Sequence, residues 1–101
     1  MARALEGLAI LAVEDRQPAR ALRLAGAAAV LREGAGTHLP PTTEAEHARA
    51  FDQARIALGP ETGEAAWSGG RSMTLEQAVA YALAPATVES AELQQINRPG
   101  R

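Results

Sequence analysis

The sequence predicts an all-α fold. Alanine, the strongest helix former, supplies 24 of the 101 residues, whereas only four valines and three isoleucines are present to favour strands. Leucines and alanines recur at three- and four-residue intervals, and prolines and glycines separate the stretches that have this spacing. These three observations exclude a β-sandwich or β-barrel and indicate a single domain of closely packed helices.

The composition also excludes several classes of activity. The chain has no cysteine, which rules out disulfide scaffolds, thiolate catalysis and cysteine-based zinc sites. It has no lysine, which rules out Schiff-base chemistry and a phosphate-loop lysine. The net charge of −2 gives no attraction for nucleic acid, and no apolar run is long enough to span a bilayer. We therefore expect a cytoplasmic, non-enzymatic protein that has no cofactor, metal, nucleic-acid or membrane partner.

The first third of the chain predicts a helical hairpin. Residues 3–14 and about 18–33 have helical spacing, and Pro18 suits the first turn of the second helix. The face of the first helix that is expected to be buried comprises Leu5, Leu8, Ala9, Leu11 and Ala12. The main face of the second helix comprises Ala21, Leu24, Ala25, Ala28 and Leu31.

Both helices also carry apolar residues behind these main faces. A helix that is apolar on two sides is normally enclosed by neighbours. We therefore predict an interaction surface that contacts either another helical repeat or a second copy of the chain, so that an isolated chain forms a homo-oligomer. This surface comprises Ile10, Val13, Leu22, Gly26, Ala29 and Val30.

Residues 34–41 predict a loop that leads into a third helix. Gly34 is expected to end the second helix in the left-handed conformation. Thr43 and Glu46 have the spacing of a capping box, which predicts a third helix from residue 43 to about residue 58.

Two shorter helices are expected after the third. The fourth covers about 60–68 and is ended by the two glycines that follow. The fifth covers about 75–84, and a second capping box of Thr74 and Gln77 starts it. The helical domain is thus expected to span residues 1–84, followed by a tail of residues 85–101 that has room for one short helix near Val88–Ile96.

Several stretches between residues 3 and 84 carry a resemblance to a known family. They read RLAGAAAVLRE at 23–33, LPP at 39–41, ALG at 57–59, AAW at 65–67 and GRSMTLEQAV at 70–79. Together they resemble the C-terminal segment of large bacterial (actinobacterial-type) signalling regulators, in which an ATPase module is followed by tetratricopeptide-like helices. Some of those regulators carry a LuxR-type or SARP-type DNA-binding domain, and others carry an adenylate cyclase or kinase domain.

The resemblance implies a tetratricopeptide-like hairpin with three further helices packed on it. The family's ATPase, cyclase and DNA-binding residues lie outside the matching segment, so only the helical-repeat role transfers. This implies a non-catalytic module for protein–protein interaction within a multidomain regulator. Two positions depart from the family, because Gly63 and His47 stand where larger residues are common.

A small-molecule sensor is the main alternative. The expected pocket is lined by Phe51, Trp67, Tyr81 and Arg55. Arg71 lies four residues after Trp67, a spacing that allows its guanidinium to lie over the indole ring. For Trp67 itself, the sequence favours packing between the third, fourth and fifth helices over stacking on a ligand.

A metal site or a small hydrolase is a weaker alternative, built on His38, His47, Glu44 and Glu46. The spacing matches no His-Glu-x-x-His pattern. The sequence therefore favours His47 packed beside Phe51 over His47 as a metal ligand or a base.

Overall fold

The computed structural model describes residues 1–84, and these residues form five α-helices with no strand. The helices are α1 (Ala2–Glu14), α2 (Pro18–Ala35), α3 (Pro41–Leu58), α4 (Pro60–Arg71) and α5 (Leu75–Leu83). The predicted all-α fold is confirmed, whereas its tetratricopeptide-like character stays a prediction. The short helix expected near Val88–Ile96 lies outside the described residues.

Proline marks the start of three helices, because its fixed backbone angle suits the first turn and its missing N–H has no partner there in any case. Pro18, Pro41 and Pro60 are the first residues of α2, α3 and α4. The start of α5 uses the predicted capping box instead. The Gln77 backbone N–H donates to Thr74 Oγ1 at 3.1 Å, and the Thr74 backbone N–H donates to Gln77 Oε1 at 2.9 Å.

The other two predicted caps are wrong. Gly34 lies inside α2, and the left-handed residue that ends this helix is Gly36, at φ +67°. The helix continues past Gly34 because a glycine can follow helical geometry, while the Thr37 N–H closes the end by donating to the Arg32 carbonyl. Thr43 does not cap α3, because this helix already begins at Pro41.

The core is built around α2, which packs against α1, α3, α4 and α5. The buried apolar residues are Leu5, Ala9, Ala12, Ala21, Leu22, Leu24, Ala25, Ala27, Ala28, Phe51, Ala54, Ala66 and Ala78. Most of them are alanines, so the helices approach closely and the core gains its apolar burial from many small side chains. The second apolar face of α2 is thus covered largely by helices of the same chain.

Glycines allow α2 and α4 to approach until their backbones touch. A Cβ atom on Gly26 would overlap the carbonyl oxygen of Trp67, and a Cβ atom on Gly70 would overlap the backbone of Arg23. This contact explains why α4 does not end at Gly69 and Gly70 as predicted but continues to Arg71. The absent side chain at position 70 makes room for α2 and does not break the helix.

The same contact corrects part of the predicted interaction surface. Leu22 is completely buried in the chain's own core, and Gly26 is buried under α4, so neither can contact a partner. Ile10 and Val13 are half-buried and pack against the core. Ala29 and Val30 are also half-buried, which leaves only part of the predicted surface accessible.

The predicted buried face of α1 is only partly correct. Leu5, Ala9 and Ala12 are buried, but Leu8 and Leu11 are exposed. Among the described helices, α1 packs mainly against α2 and less extensively against α3, so a narrow strip of its surface is covered. The strip runs through alanines because these permit the closest approach of the two helices. The described helices therefore leave one edge of the predicted apolar arc, at Leu8 and Leu11, exposed.

Candidate functional site

Two adjoining cavities lie between α1, α2, α3 and the loop that joins α2 to α3. Their volumes are about 480 Å³ and 870 Å³. They share the lining residues Glu6, Arg32, Thr37, His38, Leu39 and His47. We call the two adjoining cavities together the interhelical groove; their lining residues extend from Trp67 on α4 to Met1 and Arg3 on α1.

The first cavity has an aromatic end. Phe51 is buried on α3, and Trp67 is half-buried on α4. The guanidinium carbon of Arg55 lies 5.3 Å from the centroid of the Trp67 ring, within the range of a cation–π interaction. Arg55 also pairs with Asp52 at 3.3 Å on the exposed side of the same helix. This end of the groove therefore offers flat apolar surface beside a positive charge.

The backbone contact between α2 and α4 positions this aromatic end. The Trp67 carbonyl lies against Gly26, while the Trp67 side chain lines the first cavity together with Phe51 and Arg55. Because α4 lies so close to α2, the indole ring of Trp67 lies beside the C-terminal part of α3. Of the four residues that the sequence places in a pocket, the structure brings three together: Phe51, Arg55 and Trp67 line one cavity.

Tyr81 and Arg71 are not where the sequence predicts them. Tyr81 lies on α5, outside the lining of either cavity, where Arg23 Nη1 donates to its hydroxyl oxygen at 3.2 Å and the guanidinium of Arg20 lies 5.2 Å from its ring. Arg71 does not lie over Trp67. It donates to both carboxylate oxygens of Glu33, at 2.8 Å and 3.0 Å, because the close packing of α4 brings it beside the end of α2.

A bidentate ion pair lies at the junction of the two cavities. Arg32 Nε and Nη2 donate to the two carboxylate oxygens of Glu6, each at 2.6 Å. Hydrogen bonding to Glu6 raises the pKa of Arg32 further above its ordinary value, so the guanidinium stays charged. The pair joins α1 to α2 and explains why a carboxylate occupies the buried side of α1. This ion pair is absent from the sequence-based predictions, although Glu6 interrupts an otherwise apolar helix face and so marks the position.

The two histidines line both cavities. The rings of His47 and Phe51 meet edge to face, with 5.8 Å between their centroids, which agrees with the packing role favoured by the sequence. His47 Nδ1 is buried without a hydrogen-bond partner in the described part of the chain. Within residues 1–84, no group of three or more histidine, aspartate or glutamate side chains could hold a metal ion.

Comparisons with known proteins give no relative for this chain: no family model, curated protein or solved structure matches it. Among the described helices, none combines the length and apolar character needed to cross a lipid bilayer. The groove offers the apolar surfaces of Phe51 and Trp67 to a ligand and the guanidinium of Arg55 to a negative charge.

Proposed function

We propose that this chain is a non-catalytic interaction module that binds a segment of another protein in the interhelical groove. The observation that carries the proposal is that two adjoining cavities, which share six lining residues, follow one another between Trp67 and Arg3. Sites for drug-sized ligands are single clefts of about 300–1,000 Å³. Two adjoining cavities of about 480 Å³ and 870 Å³ suit a longer ligand, such as a peptide segment that anchors side chains at more than one point.

The charges around the groove favour a partner that combines apolar and acidic side chains. Of the three carboxylates that line the groove, Glu6 and Glu33 are each neutralised by an arginine, and Glu44 has no ion pair among the described residues, so it disfavours acidic side chains at its own position on α3. Of the cationic groups that line the groove, Arg3 has no ion-pair partner among the described residues, and Arg55 has only the exposed Asp52. A large apolar side chain would insert between Phe51 and Trp67, and a neighbouring carboxylate would approach Arg55.

The resemblance to bacterial regulators supports the wider context of the proposal. In this context the chain is the C-terminal helical part of a multidomain transcriptional or signalling regulator in the cytoplasm. The bound segment then comes from a neighbouring helical repeat of that regulator or from a second copy of the chain. Ala29, one of the half-buried residues of the predicted surface, lines the first cavity and would contact this segment.

A selection from a random peptide display library tests the binding proposal, with two variants of α3 as matched probes. Arg55→Glu reverses a charge that lines the groove, whereas Arg49→Glu makes the same change on the same helix outside it. We expect enrichment of peptides that contain acidic and large apolar residues, and binding that Arg55→Glu weakens at least about tenfold, which corresponds to roughly 1.4 kcal/mol. Arg49→Glu should leave binding unchanged. A failure to enrich peptides, or equal losses in both variants, contradicts the proposal.

A small-molecule sensor is a second candidate, favoured by the first cavity alone. Its volume of about 480 Å³, its aromatic end and the buried, unpartnered Nδ1 of His47 fit a site for one compact ligand. The single tryptophan, Trp67, lines this cavity and reports on its occupation. Saturable quenching of Trp67 by a metabolite, together with a thermal shift that Phe51→Ala removes, would support a sensor over a peptide-binding module.

A further inference from the structure

One side of α3 forms a wall of the first cavity along three turns of the helix. The residues of α3 that line this cavity are Glu44, His47, Ala48, Phe51 and Arg55, and their spacing places them on one side of the helix. We call these five residues the cavity face of α3. With a rise of about 1.5 Å per residue, its two ends lie about 16 Å apart along the helix axis. The first cavity is therefore an elongated site with two distinct ends.

The two ends of the cavity face carry opposite charges. Glu44, at one end, is exposed and has no ion pair among the described residues. The ion-pair partner of Arg55, at the other end, is Asp52, which is exposed and does not line the cavity. The charged residues on the α2 side of the cavity are already held in ion pairs. A ligand that neutralises both ends therefore carries a basic group near Glu44 and an acidic group near Arg55.

Apolar surface lies between the two charges. Phe51 is buried on the cavity face of α3, one turn before Arg55. Ala25 and Ala29 line the α2 side of the same cavity. Because these two alanines are small, large apolar side chains of a ligand can insert between α2 and α3 and lose contact with water there.

The surroundings of the cavity favour a helical ligand over an extended one. An extended peptide needs partners for its backbone N–H and C=O groups, which the edge of a sheet supplies in many complexes, and residues 1–84 contain no strand. A helix satisfies its own backbone groups and presents a row of side chains along one side. The side chains of such a row have the same spacing as the cavity face of α3.

We propose that the segment bound in the first cavity is an amphipathic helix that places an acidic side chain at Arg55, a basic side chain at Glu44 and large apolar side chains between them. The acidic and basic residues of this helix are eleven positions apart, because Glu44 and Arg55 are separated by eleven residues and this spacing returns to the same side of a helix. The inference rests on the proposed function of the groove, and it adds the conformation and the charge pattern of the ligand.

Two peptide display libraries that differ in one spacing test the proposal. Both present peptides of about 14 residues, which are marginal helices on their own, with one glutamate, one lysine in either order and randomised apolar positions between them. In the matched library the two charged residues are eleven positions apart. In the control library they are nine positions apart, which places them on opposite sides of a helix. The libraries are mixed in equal amounts and selected together on the full-length chain.

Two substitutions on α3 identify the residue that recognises the lysine. Glu44→Gln removes the negative charge of the cavity face, whereas Glu46→Gln removes an exposed charge of the same helix that does not line the groove. We expect the unaltered chain and the Glu46→Gln variant to enrich matched peptides at least about threefold over control peptides, the effect of one partly exposed ion pair. The preference should disappear in the Glu44→Gln variant.

The possible outcomes separate this proposal from the proposed function. Equal enrichment of the two libraries, or a preference that Glu44→Gln leaves unchanged, would overturn the helical ligand while the groove remains a peptide-binding site. Enrichment of neither library, when the fully random library does give peptides that require Arg55, would also overturn the helical ligand alone. If no library gives binding peptides, the proposed function fails as well.

Circular dichroism then tests the conformation of the ligand directly. A matched peptide from the selection is synthesised and mixed with the full-length chain. We expect the ellipticity of the mixture at the helical minimum to exceed the sum of the separate spectra, because the short peptide becomes helical only when it is bound. A peptide that binds without this gain would overturn the proposal.

Discussion

The two sides of α2 that face α4 and α3 are packed in opposite ways. Towards α4, glycines remove the side chains between the helices, and the backbones touch at Gly26 and Gly70. Towards α3, larger side chains such as Phe51 and His47 stand between the helices, and a cavity of about 480 Å³ remains. The same helix therefore makes both the tightest contact in the described domain and the wall of its candidate site.

This difference shows how an alanine-rich chain can build a binding site. Small residues on one side bring α4 so close that its backbone fixes the position of Trp67. On the other side, the ring of Trp67 and the side chain of Phe51 keep the groove open. The rigid side thus determines the geometry of the open side, and substitutions on the two sides should have different consequences.

The largest effect is expected for Gly70→Ala. The new Cβ atom would overlap the backbone of Arg23, so α4 must move away from α2. We expect a loss of more than about 3 kcal/mol in the free energy of unfolding, at the upper end of the cost of overpacking, because neither backbone can rotate aside. Urea denaturation followed by circular dichroism measures the loss.

Gly69→Ala provides the matched control for this substitution. Gly69 is the adjacent residue of the same helix, and a Cβ atom there would meet nothing within 4 Å. We expect it to stabilise the domain by up to about 1 kcal/mol, since alanine is the better helix former. Equal effects at positions 69 and 70 would contradict the close contact between α2 and α4.

The next largest effect separates the core from a surface between molecules. Leu22 is fully buried within one chain, so Leu22→Ala should cost about 2–5 kcal/mol at any protein concentration. Val30 is half-buried on the same helix, and Val30→Ala should cost less than about 1.5 kcal/mol. Thermal unfolding at two concentrations tests both values. A loss at Leu22 that grows on dilution would restore its predicted place in a homo-oligomer interface.

The sequence predicts those features of the two sides of α2 that depend on neighbouring residues, and it does not predict those that depend on contacts between distant residues. The starts of α2, α4 and α5 are predictable because Pro18, Pro60 and the capping box of Thr74 act within a few residues, whereas α3 begins two residues before the predicted Thr43. Phe51, Arg55 and Trp67 are predictable as a cluster because helix spacing places each residue on a known face. The role of Gly70 is not predictable, since a glycine near a helix end is locally indistinguishable from a terminator. Its true role depends on Arg23, far away in the sequence.

The side of α1 that becomes buried is unpredictable for a related reason. Leu5, Leu8 and Leu11 all belong to one apolar arc, and only the position of α2 decides which of them is covered. The same holds for Glu6, whose burial becomes favourable only when Arg32 stands opposite it. Tyr81 was assigned to the pocket by its residue type, but the packing of α5 on α2 places it beside Arg20 and Arg23 instead.

Two neighbouring alanines of α2 sharpen the comparison at a smaller scale. Ala28 is 1% exposed in the core, whereas Ala29 is half-buried and lines the first cavity. We expect Ala28→Leu to cost about 1–3 kcal/mol by overpacking. Ala29→Leu should cost less than about 1 kcal/mol, because the added atoms can enter the cavity. Urea unfolding of the two variants measures both losses in the free energy of unfolding. An equal loss at the two positions would mean that the cavity is not open beside α2.

The smallest effect is expected at the exposed ion pair that joins α2 to the end of α4. Hydrogen bonding to Arg71 lowers the pKa of Glu33 below its ordinary value of 4.5. The stabilisation is therefore present above that ordinary value and is lost as the pH falls through the lowered pKa. Glu33→Gln should reduce the urea midpoint slightly at pH 7, and the difference from the unaltered chain should disappear on acidification. Salt should also reduce this difference in midpoint, because the ion pair is exposed.

Glu64→Gln is the control, because Glu64 is an exposed carboxylate of α4 without an ion pair among the described residues. It should give no such pH-dependent difference. A similar pH dependence in both variants would show that the Glu33–Arg71 contact does not hold the end of α4 against α2.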